Sequence, residues 1–195
     1  YAEALVRWKH PEKGLVSPGI FIPIFEKNGF IEKLDFYVWE EVCRYHARRR
    51  SEGKPLFPIS VNVSRASLYN PYLAERIIDL MNKYDIEAKY LKVEITESAY
   101  NNCEALIQKT AEKLRQNGLN ILIDDFGSGY SSLNTLKDLT ADTLKIDMKF
   151  MGGFETSPKA GNILTSVVRM AKWLQLPVVA EGVETITQVK FLRSI

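Results

Sequence analysis

The feature that most constrains the fold is a regular alternation of short apolar runs and longer amphipathic runs along the chain. The short runs have strand length, are rich in Val, Ile and Leu, and are bounded by Gly, Pro, Asn or Asp. They are Ala2–Trp8, Pro58–Ser64, Leu91–Thr96, Asn120–Asp125, Asp142–Asp147 and Pro177–Gly182. Strands that alternate with helices predict βαβ units and a parallel sheet, either open and doubly wound or closed into a barrel.

The long runs have helical spacing. The first of them, Ile31–Gly53, carries Leu34, Val38, Val42 and Tyr45 at intervals that predict one apolar face. The later ones are Tyr72–Tyr84, Glu104–Asn117, Lys159–Leu174 and Glu184–Leu192. No GxGxxG or Walker sequence follows any of the predicted strands. Its absence weakens the nucleotide-binding version of an open sheet and favours the barrel.

Size and composition narrow the class of protein. The chain has 195 residues, of which 46% are hydrophobic and 26% are charged, so we expect one globular domain over 1–195. A net charge of +2 gives no reason to expect DNA or RNA polymers as partners. The sequence has no apolar stretch of about 20 residues, and its two cysteines form no CxxC, so a reducing cytoplasm is the expected location.

Ionisable or amide side chains lie within or at the end of almost every predicted strand. They are Glu3, Arg7, Asn62, Glu94, Asp124, Asp125, Lys145, Asp147 and Glu181. Repeated acids in otherwise apolar strands are costly to bury unless something compensates their charge. In a parallel barrel these positions converge on the carboxyl-terminal mouth, where active sites are built. We therefore expect bound cations or shared protons there.

The donor types indicate which metal would fit. Clustered Glu, Asp and Asn oxygens favour Mg²⁺ or Mn²⁺, whereas the two histidines, His10 and His46, lie outside the predicted strands, which disfavours zinc. The cluster offers more ligands than one octahedral ion needs, so two ions sharing a carboxylate are expected. Paired ions suit the in-line hydrolysis of a phosphoester. From the residues alone, the chain is predicted to be a metal-dependent phosphoryl hydrolase.

Six segments, in chain order, also resemble the motifs of EAL domains, a family of cyclic di-GMP phosphodiesterases. They are Glu3–Trp8 (EALVRW), Ser60–Ser64 (SVNVS), Glu94–Ser98 (EITES), Asp124–Leu133 (DDFGSGYSSL), Lys145–Asp147 (KID) and Ala180–Thr185 (AEGVET). The resemblance implies a TIM-barrel-like α/β fold and hydrolysis of cyclic di-GMP to linear pGpG. It covers the whole chain.

The resemblance implies a role for each matching residue. The implied ligands of a first ion are Glu3, Asn62, Glu94 and Asp124. Asp124 would bridge to a second ion, held also by Asp125, with Asp147 or Glu181 nearby. Lys145 would hold and polarise the attacking water or stabilise charge on the phosphate, and Glu181 would be the general base. The remaining implied roles are a phosphate clamp for Arg7, an anchor of the loop Phe126–Leu133 for Glu97, and support of the last strand end for Glu184.

Each of these residues also has a purely structural interpretation. Asp124 and Asp125 could cap a turn, and Glu97 could be an acid at a helix N-terminus. Arg7 could pair with Glu3, and an isolated lysine such as Lys145 is more often a solvated surface cation. These interpretations do not explain why all six motifs occur together.

The ends of the chain leave a second function open. Six of eight barrel strands are recognisable, so we expect an EAL domain core truncated at both ends. The alternative to an enzyme is a non-catalytic module that binds cyclic di-GMP or a protein, or an inactive fragment. By analogy with the family, we expect a homodimer through Leu133–Leu136. We also expect a parent protein with sensory or diguanylate-cyclase-like domains, which could be tethered to a membrane.

Overall fold

A computed structural model of the protein describes residues 1–102, 104–127, 141–146 and 158–195. It divides the chain into two compact units. The first unit is Tyr1–Glu94 with Cys103–Asn120, and the second is Ile95–Asn102 with Ile121–Ile195. Within the described ranges, no helix has the length and apolar character that a membrane crossing requires.

The first unit joins parallel strands to a layer of helices. Its elements are β1 (Ala2–Glu3), β2 (Trp8–His10), β3 (Gly14–Val16), α1 (Pro18–Asn28), α2 (Ile31–Ser51), β4 (Ile59–Asn62), α3 (Arg65–Leu68), α4 (Leu73–Tyr84), a 3₁₀ turn (Ala88–Tyr90), the first four residues of β5 (Leu91–Thr96) and α6 (Glu104–Gln116). β4 pairs in parallel with β1 on one side and with β5 on the other. This register places Glu3 opposite Ser60, and Asn62 opposite Glu94.

The second unit repeats the same parallel pattern. Beyond the end of β5, it contains α5 (Glu97–Asn102), β6 (Asn120–Phe126, from Ile121 onward), β7 (Thr143–Ile146), α7 (Pro158–Trp173), β8 (Val178–Ala180) and α8 (Ile186–Ser194). β7 pairs in parallel with both β6 and β8. Ile146, Leu164 and Val168 form a buried cluster, so the two helices and β8 close over an apolar core.

The six predicted strands are present, but four of them start or end one or two residues from the predicted bounds, and the first is much shorter than predicted. β5 has the predicted bounds Leu91–Thr96. The predicted strand Ala2–Trp8 instead ends at Glu3, and Trp8 begins an antiparallel hairpin opposite Val16. The turn of this hairpin is stabilised by His10, whose Nδ1 accepts the backbone N–H groups of Glu12 and Lys13. A turn held by a side chain has no apolar periodicity, which is why the pattern missed it.

The buried face of α2 differs from the predicted one. Leu34, Val38 and Tyr45 are only half-buried, and of the predicted stripe Val42 alone is fully buried. The buried stripe is Ile31, Asp35, Trp39, Val42, Cys43 and His46. Two core positions are thus occupied by a carboxyl and an imidazole, so a count of apolar residues at helical spacing selects the wrong face.

His46 makes stability depend on pH. Its fully buried ring lies 6.0 Å from the Tyr90 ring and 6.4 Å from the Phe57 ring, measured between centroids. Burial among these rings lowers the pKa of His46 below its ordinary value near 6.5. Below that ordinary value the unfolded chain takes up a proton that the folded chain resists, so the free energy of unfolding falls as the pH drops.

We therefore expect the urea midpoint to fall more steeply between about pH 7 and pH 5 for the native sequence than for His46→Phe. Phenylalanine keeps the ring contacts but cannot be protonated. His10→Asn is the matched control, because it removes the other histidine and should leave the pH slope from His46 intact. Equal slopes for the native sequence and His46→Phe would contradict the expectation.

Candidate active site

Glu3, Asn62 and Glu94 come together at the carboxyl ends of β1 and β4 and within β5. The Asn62 side-chain amide donates a hydrogen bond of 2.9 Å to Oε1 of Glu3. Carboxylate oxygens of Glu3 and Glu94 lie within 4.8 Å of each other, and Glu94 is only 1% exposed. Two carboxylates this close, one of them buried, repel each other unless a cation or a proton lies between them.

The backbone that carries Asn62 is fixed by hydrogen bonds on both sides. The Trp39 indole Nε1 donates to the Asn62 carbonyl over 3.0 Å, and the next amide, that of Val63, donates to the Glu94 carbonyl over 2.9 Å. Asp35, from the same helix as Trp39, accepts the N–H of Ser64 over 2.9 Å. Neither Asp35 nor Trp39 belongs to a motif recognised in the sequence. An acid at a core position of an amphipathic helix is the signal that could have revealed the first of them.

In the second unit, a buried lysine lies between two of the predicted acids. Lys145 is 1% exposed, and its Nζ is 3.2 Å from Oδ1 of Asp124 and 2.9 Å from Oε1 of Glu181. The interpretation of Lys145 as a solvated surface cation is therefore wrong. A buried ammonium group needs such partners to offset the cost of its desolvation.

β6 is distorted where its two aspartates lie. The register with β7 shifts between Ile123 and Phe126, and Asp125 has a left-handed φ of 56°. The Asp125 N–H donates to Oδ1 of Asp124 over 2.9 Å, so the pair is locally folded rather than extended. A bulge of this kind re-aims side chains at a strand end.

Glu97 binds the backbone just after this bulge. It begins α5, is 1% exposed, and its Oε2 accepts the Gly127 N–H over 2.9 Å. Gly127 has a φ of 93°, a conformation that favours glycine. Glu97, the predicted anchor, thus contacts the start of the loop Phe126–Leu133 that it is predicted to hold.

Other predicted residues are not gathered into these groups. Arg7 is exposed, and its guanidinium donates to the Val6 carbonyl over 2.9 Å. Glu184 is also exposed, and its backbone N–H donates to the Gln188 side chain, which with Thr185 caps α8. Asp147 and the predicted dimer segment Leu133–Leu136 lie outside the described residues.

Comparison with known proteins agrees with these motifs. The family model for the EAL domain matches residues 1–195, and the chain belongs to the EAL domain family. The cyclic di-GMP phosphodiesterase NbdA of Pseudomonas aeruginosa is 38% identical over 193 residues, which are 98% of this chain and 24% of that protein. The bifunctional diguanylate cyclase/cyclic di-GMP phosphodiesterase MucR of the same organism is 38% identical over 97% of this chain and 28% of its own length.

A solved structure has the same fold as this chain. The structure titled PaMucR phosphodiesterase in complex with c-di-GMP superimposes with a TM-score of 0.90 and 36% identity, over 98% of this chain and 78% of that one. The predicted TIM-barrel-like α/β class is thus confirmed. The chain spans only about a quarter of the length of these curated relatives.

Proposed function

We propose that this chain is the catalytic part of a metal-dependent phosphodiesterase that hydrolyses cyclic di-GMP to linear pGpG. The observation that carries the proposal is Lys145, buried between Asp124 and Glu181. A buried lysine held by a predicted metal ligand on one side and a predicted base on the other suits a water-activating site. The names of the relatives NbdA and MucR give the substrate class.

The donor set fits divalent cations. Glu3 and buried Glu94 face each other, and carboxylate oxygens are the ligands that Mg²⁺ and Mn²⁺ prefer. In the proposal, Glu3, Asn62, Glu94 and Asp124 would hold one ion, and Asp124 with Asp125 and either Asp147 or Glu181 would hold a second. Two such ions would neutralise phosphate charge and lower the pKa of a bound water.

The side chains of the protein carry out the remaining steps, which are proton transfer, orientation of the water and stabilisation of the phosphate charge. Glu181 accepts a proton from the attacking water, and Lys145 orients that water and offsets negative charge on the phosphate. The guanidinium of Arg7 is exposed, so it is accessible to a phosphate oxygen and suits the proposed clamp. The new P–O bond forms as the bond from phosphorus to the 3′ oxygen breaks, and that oxygen leaves as a hydroxyl after taking up a proton. One water is consumed and one phosphodiester is opened.

This chain covers only about a quarter of NbdA and of MucR, which supports a multidomain protein of which it is one part. MucR combines a cyclase and a phosphodiesterase in its name, and this chain covers 28% of it. We propose that this domain is joined to sensory or cyclase-like domains that control its turnover.

The test is direct hydrolysis. We expect the purified 195-residue chain to convert cyclic di-GMP to the linear dinucleotide in Mg²⁺ or Mn²⁺, followed by chromatography, and to stop when the metal is chelated. Binding of cyclic di-GMP without turnover in either metal would contradict the proposal and favour the interaction module.

Glu97 tests the proposed support of the second ion. Glu97→Ala leaves the Gly127 amide without its buried acceptor, a loss of about 1.5–3 kcal/mol for a hydrogen bond to a charged group. We expect hydrolysis to fall about 10- to 100-fold, with part of the loss recovered at high Mn²⁺. Glu97→Gln keeps an acceptor and should lose less. Glu112→Gln, an exposed glutamate on α6, is the control that should change nothing.

A further inference from the structure

The buried stripe of α2 contains two polar contacts to the end of β4. Asp35 and Trp39 are one helical turn apart, 8% and 1% exposed. Oδ2 of Asp35 accepts the N–H of Ser64 over 2.9 Å and the hydroxyl of Ser67 over 2.7 Å. The Trp39 indole donates to the Asn62 carbonyl over 3.0 Å.

These contacts, together with one from β5, hold the backbone of the three consecutive residues 62–64. The Asn62 carbonyl binds α2, the Val63 amide binds the Glu94 carbonyl over 2.9 Å, and the Ser64 amide binds α2 again. The chain at the strand end is therefore fixed from two directions. The Asn62 side chain, which reaches Glu3, projects from the first residue of this fixed segment.

A merely structural contact between α2 and β4 would not need a carboxylate. Apolar side chains at core positions pack a helix on a strand without the desolvation that Asp35 suffers. An acceptor for two donors at Ser64 and Ser67, however, sets the direction of the backbone where β4 becomes α3. Orientation of this kind matters most where a side chain must present an oxygen in one place.

We infer that Asp35 and Trp39 are positioning residues for Asn62, acting through the backbone of residues 62–64 to preset its amide for a divalent cation. The inference rests on the proposed function, since it concerns the ligand role of Asn62. It predicts that loss of either contact weakens metal binding and leaves KM for the substrate at saturating metal unchanged.

The test is a Mn²⁺ titration by calorimetry, followed by the metal dependence of hydrolysis. Trp39→Phe keeps an aromatic ring and removes the donor, and Asp35→Ala removes both acceptor oxygens. For each we expect the half-saturating Mn²⁺ concentration to rise about tenfold, with KM for cyclic di-GMP at saturating Mn²⁺ unchanged. Cys43→Ala is the matched control, since it removes volume from the same stripe one turn beyond Trp39.

The outcomes separate the two proposals. If the native chain neither binds Mn²⁺ nor hydrolyses cyclic di-GMP, the proposed function fails and the inference fails with it. If the native chain does both, but Trp39→Phe and Cys43→Ala have the native Mn²⁺ midpoint, the positioning role is overturned and the function stands. Circular dichroism checks folding, and if Asp35→Ala does not fold, Trp39→Phe alone decides.

Discussion

Lys145→Ala is expected to lower kcat for cyclic di-GMP hydrolysis by about 10²- to 10⁴-fold, the range for loss of a positioned proton-transfer or charge-stabilising group. KM should change little, because the ammonium group lies between Asp124 and Glu181 rather than on the surface. The measurement is steady-state turnover at saturating metal, with substrate concentration varied.

The same substitution leaves two carboxylates without their shared cation, so its stability must be measured beside its activity. Thermal unfolding and circular dichroism separate a folded, inactive variant from an unfolded one. Lys190→Ala, which changes an exposed lysine on α8, is the control and should match the native chain. A variant with a large rise in KM and an intact kcat would mean that Lys145 binds substrate and does not act on the water.

Glu3→Gln is expected to reduce hydrolysis by about 10³-fold or more, since loss of a ligand removes several kcal/mol of stabilisation and each 1.4 kcal/mol is tenfold in rate. In the absence of metal, the variant should be at least as stable as the native chain. The reason is that it relieves the repulsion between Glu3 and the buried carboxylate of Glu94.

This opposite movement of activity and stability is the diagnostic result. It is measured by product formation across a Mn²⁺ series and by urea unfolding in a chelator. Glu12→Gln, in the exposed turn of the β2–β3 hairpin, is the control for a change of one charge. Native activity in Glu3→Gln would remove Glu3 from the proposed ligands.

The fold could be predicted from the sequence where periodicity carries the information. Along β5 the apolar residues Leu91, Val93 and Ile95 alternate with polar ones, which is the period of a strand, and its bounds were predicted correctly. The hairpin Trp8–Val16 depends on one imidazole and a glycine in a tight turn, which leave no repeating pattern. On α2, a carboxyl and an imidazole occupy the core, so hydropathy alone selects a neighbouring face.

The meeting of three predicted site residues could be foreseen from the sequence, but the contacts that support them could not. Position at a strand end is visible in sequence, and Glu3, Asn62 and Glu94 meet as expected from parallel register. The burial of Lys145 and the contact of Glu97 with Gly127 depend on tertiary packing. The roles of these side chains in catalysis stay predictions until they are measured.

The left-handed backbone at Asp125 sets the conformational preference of this position against its side chain. Two other non-glycine residues of the described chain with positive φ, Asp85 and Gln175, lie just beyond helices, where this conformation is common. Asp125 instead lies inside a strand, where glycine would relieve about 1 kcal/mol of backbone strain. The aspartate is therefore held there against conformational preference. Asp125→Gly should raise the free energy of unfolding by about 1 kcal/mol while it removes a proposed ligand of the second ion, so the backbone and the proposed chemistry make opposite demands on this position.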